Sequence, residues 1–381
     1  MVPLARALVA GGHDVAFATA GQFCSGVERA GFSAFAAGMS LADQLETAGQ
    51  RYPEARLPPG KQRFESFVPR MLAGVAAPSR AADLMPVIAR WKPDLLVHDE
   101  TEFGGPAAAA ASGIPWADQS VGILRPLSMA RLAAETLGPL WREWGLDLGH
   151  WGGLFRWLYL DVCPPSLQSH EIAQVPVAHP VHNLAGPGTA GELPPWVVGL
   201  PPQPTVYVSL GTVFNRDRGV FTAILEGLRE EPVNVVVTVG HDNDPADLGA
   251  QPPHVHVERF IPQSLLLPHC DVVVNQGGTA ILDILGHGLP ILVLPQGANQ
   301  FHNAEAVVLS GAGRALLPGD VSPASVRREL RTLLGDRRFS DRAARLGDEL
   351  AAMPGPAEGV RLLERLAAER VPLARAGQAG S

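Results

Sequence analysis

Four short segments carry residue types that can do chemistry. Asn275-Gln276-Gly277-Gly278-Thr279 sets two glycines among amides and a hydroxyl, and Ser209-Leu210-Gly211-Thr212 places hydroxyls around another glycine. Turns of this kind let an anion approach backbone N–H groups, and a phosphate is the guest they suit. Asn299-Gln300 adds two amides at the end of a further segment that falls at the carboxyl edge of a strand. Asp99 stands directly after an apolar run with His98 and Glu102 beside it, so acid–base chemistry falls to this group; capping of a following helix explains Asp99 equally well. None of these is specific alone, because a strand–helix–strand unit needs glycines whether or not it binds a ligand.

The elements around the segments give them weight. Between Cys270 and Gln300 an apolar run at 272–274 stops at the glycine turn, and Ala280, Ile281, Ile284 and Leu285 then recur at helical spacing. That helix ends at Gly288, and Pro290 opens a buried-type strand over 291–294. The turn therefore joins a strand to a helix N-terminus, whose free N–H groups would face the carboxyl edge of a sheet. The same alternation predicts strands at 205–210, 234–240 and 255–260 and helices at 220–229, 303–309, 323–334, 340–353 and 358–369.

In the first half, residues 1–8 already read as a helix, with Pro3 in its first turn and Leu4 and Leu8 on one face. A parallel α/β domain normally begins with a strand, so this chain opens one element late. Strands are expected at 13–19, 32–36, 94–98 and 114–119, and helices at 23–30, 62–91, 106–111 and 127–144, the last broken at Gly138-Pro139. Residues 41–60 read as weakly ordered and 151–157 as a further helical stretch. Prolines at 194–195, 201, 202 and 204 mark a stiff linker. The expected organisation is a first domain over 1–190, a linker at 191–204, a second domain over 205–355, a helix at 356–373 that packs back on the first domain, and a frayed tail at 374–381. The fold class is α/β, with two doubly wound parallel sheets.

Composition narrows the function classes. The chain has 381 residues, 46% of them apolar and 18% charged, which is enough for two buried cores. A formal charge of −8 without a dense basic run argues against a nucleic-acid surface, so an anionic ligand must be held locally. Cys24, Cys163 and Cys270 have neither metal-type spacing nor the number for a disulfide framework. No apolar run approaches the length of a membrane span and the N-terminus makes a poor signal peptide, so the cytoplasm is the expected compartment. Asp242-Asn243-Asp244 could hold a divalent metal on a diphosphate, but it precedes Pro245 in a polar loop and reads as a solvated turn; no metal and no cofactor is expected.

The ordered set of motifs in the second half resembles the nucleotide-sugar glycosyltransferases of the two-domain GT-B fold, closest to the actinobacterial enzymes that decorate natural products with sugars. The resemblance covers nearly the whole chain. It implies that Ser209, Gly211 and Thr212 meet the diphosphate, and that Phe260, Ile261 and Gln263 lie against the base, with Phe260 where relatives often have Trp. It also implies that Asn275, Gln276, Gly277, Gly278 and Thr279 hold phosphate and that Asn299 and Gln300 touch the sugar. The co-substrates implied are a dTDP- or UDP-sugar donor and an apolar small-molecule acceptor bound by the first half; a homodimer is compatible with the pattern. The reaction implied is transfer with inversion to an acceptor hydroxyl.

Three departures qualify the resemblance. Relatives have histidine in the dipeptide before Gly277-Gly278, where this chain has Asn275-Gln276. They commonly have an acid at position 299; its replacement by Asn299 removes a charged acceptor for sugar hydroxyls, which suits a deoxygenated sugar. They also open with a strand and a loop carrying the base histidine, directly before the Pro-Leu matched by Pro3-Leu4. Asp99 then falls where relatives orient that histidine, while His13 matches the edge of the next strand and is no substitute. The rival expectations are a catalytically silent nucleotide-sugar-binding protein, and another GT-B enzyme such as a lipid-acceptor transferase or an epimerase.

Overall fold

The computed structural model describes residues 1–182, 191–211 and 218–375, so Thr212 lies outside the described residues. The chain divides into two compact units. The first takes the described parts of Met1–Cys163, Gln168–Asn183 and Met353–Ser381, and the second takes those of Pro164–Leu167 and Leu184–Ala352.

The first unit runs α1 (Val2–Ala10), β1 (Ala16–Thr19), α2 (Gly21–Arg29), β2 (Ser33–Ala36), α3 (Leu41–Arg51), α4 (Lys61–Met71), a π-helical turn (Leu72–Ala76) and α5 (Ala77–Trp91). It continues with β3 (Leu96–Asp99), α6 (Gly104–Ala111), β4 (Trp116–Gln119), α7 (Leu127–Glu143), β5 (Tyr159–Asp161) and β6 (Ala178–Pro180). All pairings are parallel, but they form two sheets: β1 with β2, and β3-β4-β5-β6. Among the described residues β1 and β3 therefore each keep one edge unpaired. Helix α5 serves both sheets. Its Leu84 and Ile88 pack with Ala37, after β2, and with Leu96 of β3, while Asp83 accepts from the Gly38 N–H at 2.8 Å.

The second unit holds β7 (Thr205–Ser209), α8 (Arg218–Leu228), β8 (Asn234–Thr238), β9 (Val255–Glu258), α9 (Gln263–Leu266), β10 (Val272–Asn275), α10 (Ile281–Gly286), β11 (Ile291–Val293), α11 (Gln300–Ser310), β12 (Gly313–Ala315), α12 (Pro323–Gly335) and α13 (Arg337–Ala352). Its single parallel sheet has the order β12-β11-β10-β7-β8-β9. The central strands are near-continuous Val runs because both faces are buried. Val206, Val208, Val272 and Val274 point into one core with Ile224 of α8 and Leu330 of α12, and the alternate Tyr207 and Val273 fill the other face. Helix α12 starts sharply because Ser322 and Ser325 cap it reciprocally and Pro323 occupies its first turn. The last helix, α14 (Pro356–Glu369), belongs to the first unit, where Leu362, Leu363 and Leu366 join Leu4 of α1 and Leu160 of β5 in one cluster.

Several local expectations give way. Residues 41–51 are helical, not weakly ordered: Ser40 caps α3 by accepting from Asp43 N–H at 3.2 Å, and only Gln44 and Ala48 are buried, so the apolar period is faint. Helix α7 passes through Gly138-Pro139 unbroken, anchored by buried Leu137 and Trp141 on either side. Residues 151–157 form turns, not a helix, because Gly152, Gly153 and Phe155 have left-handed φ of 65°, 96° and 57°. Trp116 Nε1 donates to the Gly153 carbonyl at 2.8 Å and fixes that conformation. The three-residue strands β5, β6 and β12 are too short to read from periodicity.

A buried ion pair lies under the first unit's sheet. His98 and Asp118 are register partners on β3 and β4, nearly inaccessible, with Nε2 to Oδ1 at 2.8 Å. Asp118 Oδ2 also accepts from the Phe155 N–H at 2.6 Å, tying the left-handed turn to the sheet. Burial disfavours the charged imidazole, but the Asp118 carboxylate, the Glu102 charge and the Asp99 carbonyl outweigh it and raise its pKa from 6.5 to about 9. Because the folded pKa lies above the unfolded one, the stabilisation is complete below pH 6.5 and is lost as pH rises through about 9. Thermal unfolding followed across this window should show Tm of wild type falling toward pH 9. Asp118→Asn, which strands the imidazole, should cost about 3–5 kcal/mol near neutrality, read by urea unfolding.

Candidate functional site

The second unit's strand order reverses direction between β7 and β10. From β7 the chain winds through β8 to β9, then returns to place β10, β11 and β12 on the other side. In a doubly wound parallel sheet the loops at the carboxyl ends diverge at this point and leave a crevice. The two glycine turns singled out in the sequence flank it: Ser209 and Asn275 are the last residues of β7 and β10 and are register partners.

Side-chain amides hold this edge. Asn275 is almost fully buried; its Nδ2 donates to the Ser209 carbonyl at 3.1 Å and its Oδ1 accepts from the Gly277 N–H at 2.8 Å. It braces the cradle with one N–H of Nδ2 and one lone pair of Oδ1, so each amide atom keeps further capacity. Gly277 has φ 87°, and a Cβ there would come within 2.6 Å of Val293 Cγ1 and 3.3 Å of the Gln300 carbonyl, so glycine is required. Gly211 has φ 73°, and a Cβ on it would overlap Gln276 Nε2; the Gln276 amide lies between Gly211 and Gly278. Gln276 is 9% exposed, and its Oε1 is buried without a partner among the described residues.

Helix α10 has only six residues and begins at Ile281, so the N–H groups offered here belong to the turn. The Gly278 and Thr279 N–H groups have no partner among the described residues, and Thr279 is exposed. The Ser209 hydroxyl faces the Gly211 N–H at 3.5 Å.

The remaining expected residues fall around this crevice. Phe260 follows β9, three strands from β10, or about 14 Å at roughly 4.8 Å per strand. It is 54% exposed and stacks on His241, with ring centroids 4.8 Å apart. Ile261 is buried in the core, and Gln263 opens α9. Asn299 is half-buried before α11, and its side chain makes no cap. Gln300 is inward: its Oε1 accepts from the Gln296 and Gly297 N–H groups at 2.7 and 3.0 Å. It shapes a turn in which Ala298 has φ 52°, leaving only its amide nitrogen for another role. Two residues escaped sequence reasoning, His241 and Asn303. The signal for Asn303 is a polar residue at a buried helical position, four after Asn299. Asp244 caps the turn at Pro245–Leu248 through the Ala246 N–H.

Asp99 ends β3 in the first unit. Its Oδ1 accepts from the Thr101 N–H at 2.7 Å and from the Thr101 hydroxyl, so it folds its own turn and does not cap α6. The Gly104 and Gly105 N–H groups go to Glu102, at 2.8 and 2.5 Å. His98 and Glu102 are thus structural and are removed as candidate bases. His13 bonds Glu364 of α14 at 2.9 Å. Next to Asp99, Glu100 is buried against Arg125 (3.2 Å) and the Tyr159 hydroxyl (2.9 Å); burial raises its pKa to about 7 despite both partners. The amino group of Met1 lies near the Asp99 charge, and burial lowers its pKa.

Comparison with known proteins follows this division of the chain. The family model for the erythromycin biosynthesis protein CIII-like N-terminal domain matches residues 6–211, and that for the C-terminal domain matches 223–366. The chain is 34% identical over 379 residues to the L-demethylnoviosyl transferase of Streptomyces niveus, covering 97% of this chain and 94% of that one. It is 30% identical over 420 residues to the aclacinomycin-T 2-deoxy-L-fucose transferase of Streptomyces galilaeus, covering 97% and 93%. Among solved structures, the spinosyn rhamnosyltransferase SpnG complexed with thymidine diphosphate superposes with a TM-score of 0.78 at 27% identity, covering 96% and 95%. With two parallel α/β units and a glycine-lined crevice at the second sheet's reversal point, this chain belongs to the erythromycin biosynthesis protein CIII-like family of GT-B glycosyltransferases.

Proposed function

We propose that the protein transfers a deoxysugar from a dTDP-sugar to a hydroxyl of a natural-product aglycone, with the second unit holding the donor and the first the acceptor. The observation that carries this reading is the pair of turns, Ser209–Gly211 and Gln276–Thr279, on either side of the β7/β10 reversal. A diphosphate over that reversal would accept from the Gly278 and Thr279 N–H groups, and the exposed face of Phe260 lies at the reach of its base. Such N–H groups, fixed before the leaving diphosphate develops charge, stabilise the transition state without reorganising. Neutral Asn299 suits a sugar with few hydroxyls, in keeping with a relative that bears the name of a 2-deoxy-L-fucose transferase. Asn275 acts as the brace of the cradle rather than as a ligand.

In this reading Asp99 orients the base that removes the acceptor proton, through its Oδ2. No histidine meets the Asp99 carboxylate among the described residues, and this favours a second reading, in which the chain binds a dTDP-sugar without turning it over. Product formation from a dTDP-deoxysugar and an aromatic or macrolide aglycone separates the two readings.

Two outcomes test the roles assigned here. Excess dTDP should raise Tm by several degrees, since a hundredfold excess over Kd contributes about 2.7 kcal/mol. Gly278→Asp, which sets a carboxylate in the phosphate path, should abolish the rise; no shift in wild type with any nucleoside diphosphate would sink the donor site. Asp99→Asn should lower kcat at least about a hundredfold with dTDP affinity intact. An equal loss of dTDP affinity would remove Asp99 from the acceptor-activating role.

A further inference from the structure

Helix α11 sends one side chain back to the glycine turn. Asn303, 3% exposed, donates through Nδ2 to the Gly277 carbonyl at 2.7 Å. Gly277 is thus held at both ends, its N–H by Asn275 Oδ1 and its carbonyl by Asn303 Nδ2. The consequence follows from peptide geometry. In a planar trans peptide the carbonyl of Gly277 and the N–H of Gly278 point in opposite directions. Drawing the carbonyl toward α11 therefore turns the Gly278 N–H away from α11, and that N–H has no partner among the described residues. A second observation falls at the same place: the Nε2 donor of the buried Gln276 amide lies beside Gly278, within reach of an anion held there.

We propose that Asn303 is a positioning residue for the donor: it fixes the Gly277–Gly278 peptide so that its N–H faces the diphosphate and its carbonyl does not. Freed of Asn303, this peptide could rotate and present a carbonyl oxygen to the phosphate, replacing attraction with repulsion. Glycines on both sides make the rotation easy, because neither flanking residue has a Cβ to oppose it. The inference rests on the donor site proposed above and adds to it a residue that would never touch the ligand.

Calorimetric titration of dTDP into wild type, Asn303→Leu and Asn303→Asp tests it, beside donor and acceptor KM and Tm. Leucine keeps the volume and removes the donor group; aspartate keeps the shape and reverses the polarity. Both variants should bind dTDP at least tenfold more weakly and raise donor KM by a like factor, with acceptor KM unchanged. A lowered Tm with wild-type dTDP affinity would overturn the proposal, for Asn303 would then support only the fold. Failure of wild type to bind dTDP would overturn the donor site as well, and so tells the two apart. Should neither variant fold, hydrogen exchange of the Asn303 side-chain amide in wild type decides. Slow exchange that slows further with dTDP supports the role, and exchange indifferent to dTDP overturns it.

Discussion

The carboxamide of Asn275 is the contact on which the second unit's functional edge depends. Parallel strands β7 and β10 meet at the reversal of the sheet, where loops must diverge and no backbone ladder continues beyond Ser209 and Asn275. One side chain replaces the missing ladder, donating across to Ser209 and accepting from Gly277. A buried amide left half-satisfied costs about 1–3 kcal/mol, so the turn is held wherever Asn275 is seated. Gly277, Asn303 and Gln300 extend the same logic toward α11. The result is a rigid rim of backbone groups, and such rigidity lets N–H groups stabilise charge without first moving.

The first unit solves a different problem with different means. It buries several ionisable groups near one sheet edge: His98 with Asp118, Glu100 with Arg125 and Tyr159, and Asp161 with Gln168. Burial raises Asp161 to about 6 and Glu100 to about 7, while partner charges carry His98 to about 9. Of the titratable residues in the His98–Glu102 run, Asp99 alone keeps a carboxylate oxygen outside this network. The network consumes the groups that looked like bases in the sequence and leaves one that can orient another.

The α/β alternation and both glycine turns were legible because buried parallel strands read as unbroken Val runs and turns of positive φ require glycine. What a side chain does at an edge was not. Asn275 and Gln276 are adjacent amides of similar chemistry, yet one braces the turn and the other lies between two glycines; only the register of β10 against β7 separates them. Gln300, a sugar contact by the resemblance, also holds its own turn through Oε1, a role its residue type does not announce. Short strands such as β5, and helix α3 with two buried residues, carry too little apolar pattern to register. The left-handed conformations at 152, 153 and 155 were hidden because Phe155 adopts a conformation that its residue type rarely does. Asn303 was readable only as a polar residue on a buried helical position.

A crystal structure of the protein with dTDP would measure the central assignment directly. The diphosphate should lie over the β7/β10 reversal, within hydrogen-bonding distance of the Gly278 N–H, with the base toward Phe260 and the Asn275 bonds to Ser209 and Gly277 unchanged. A diphosphate bound away from that reversal, or an Asn275 side chain that leaves Ser209 to contact phosphate, would contradict it.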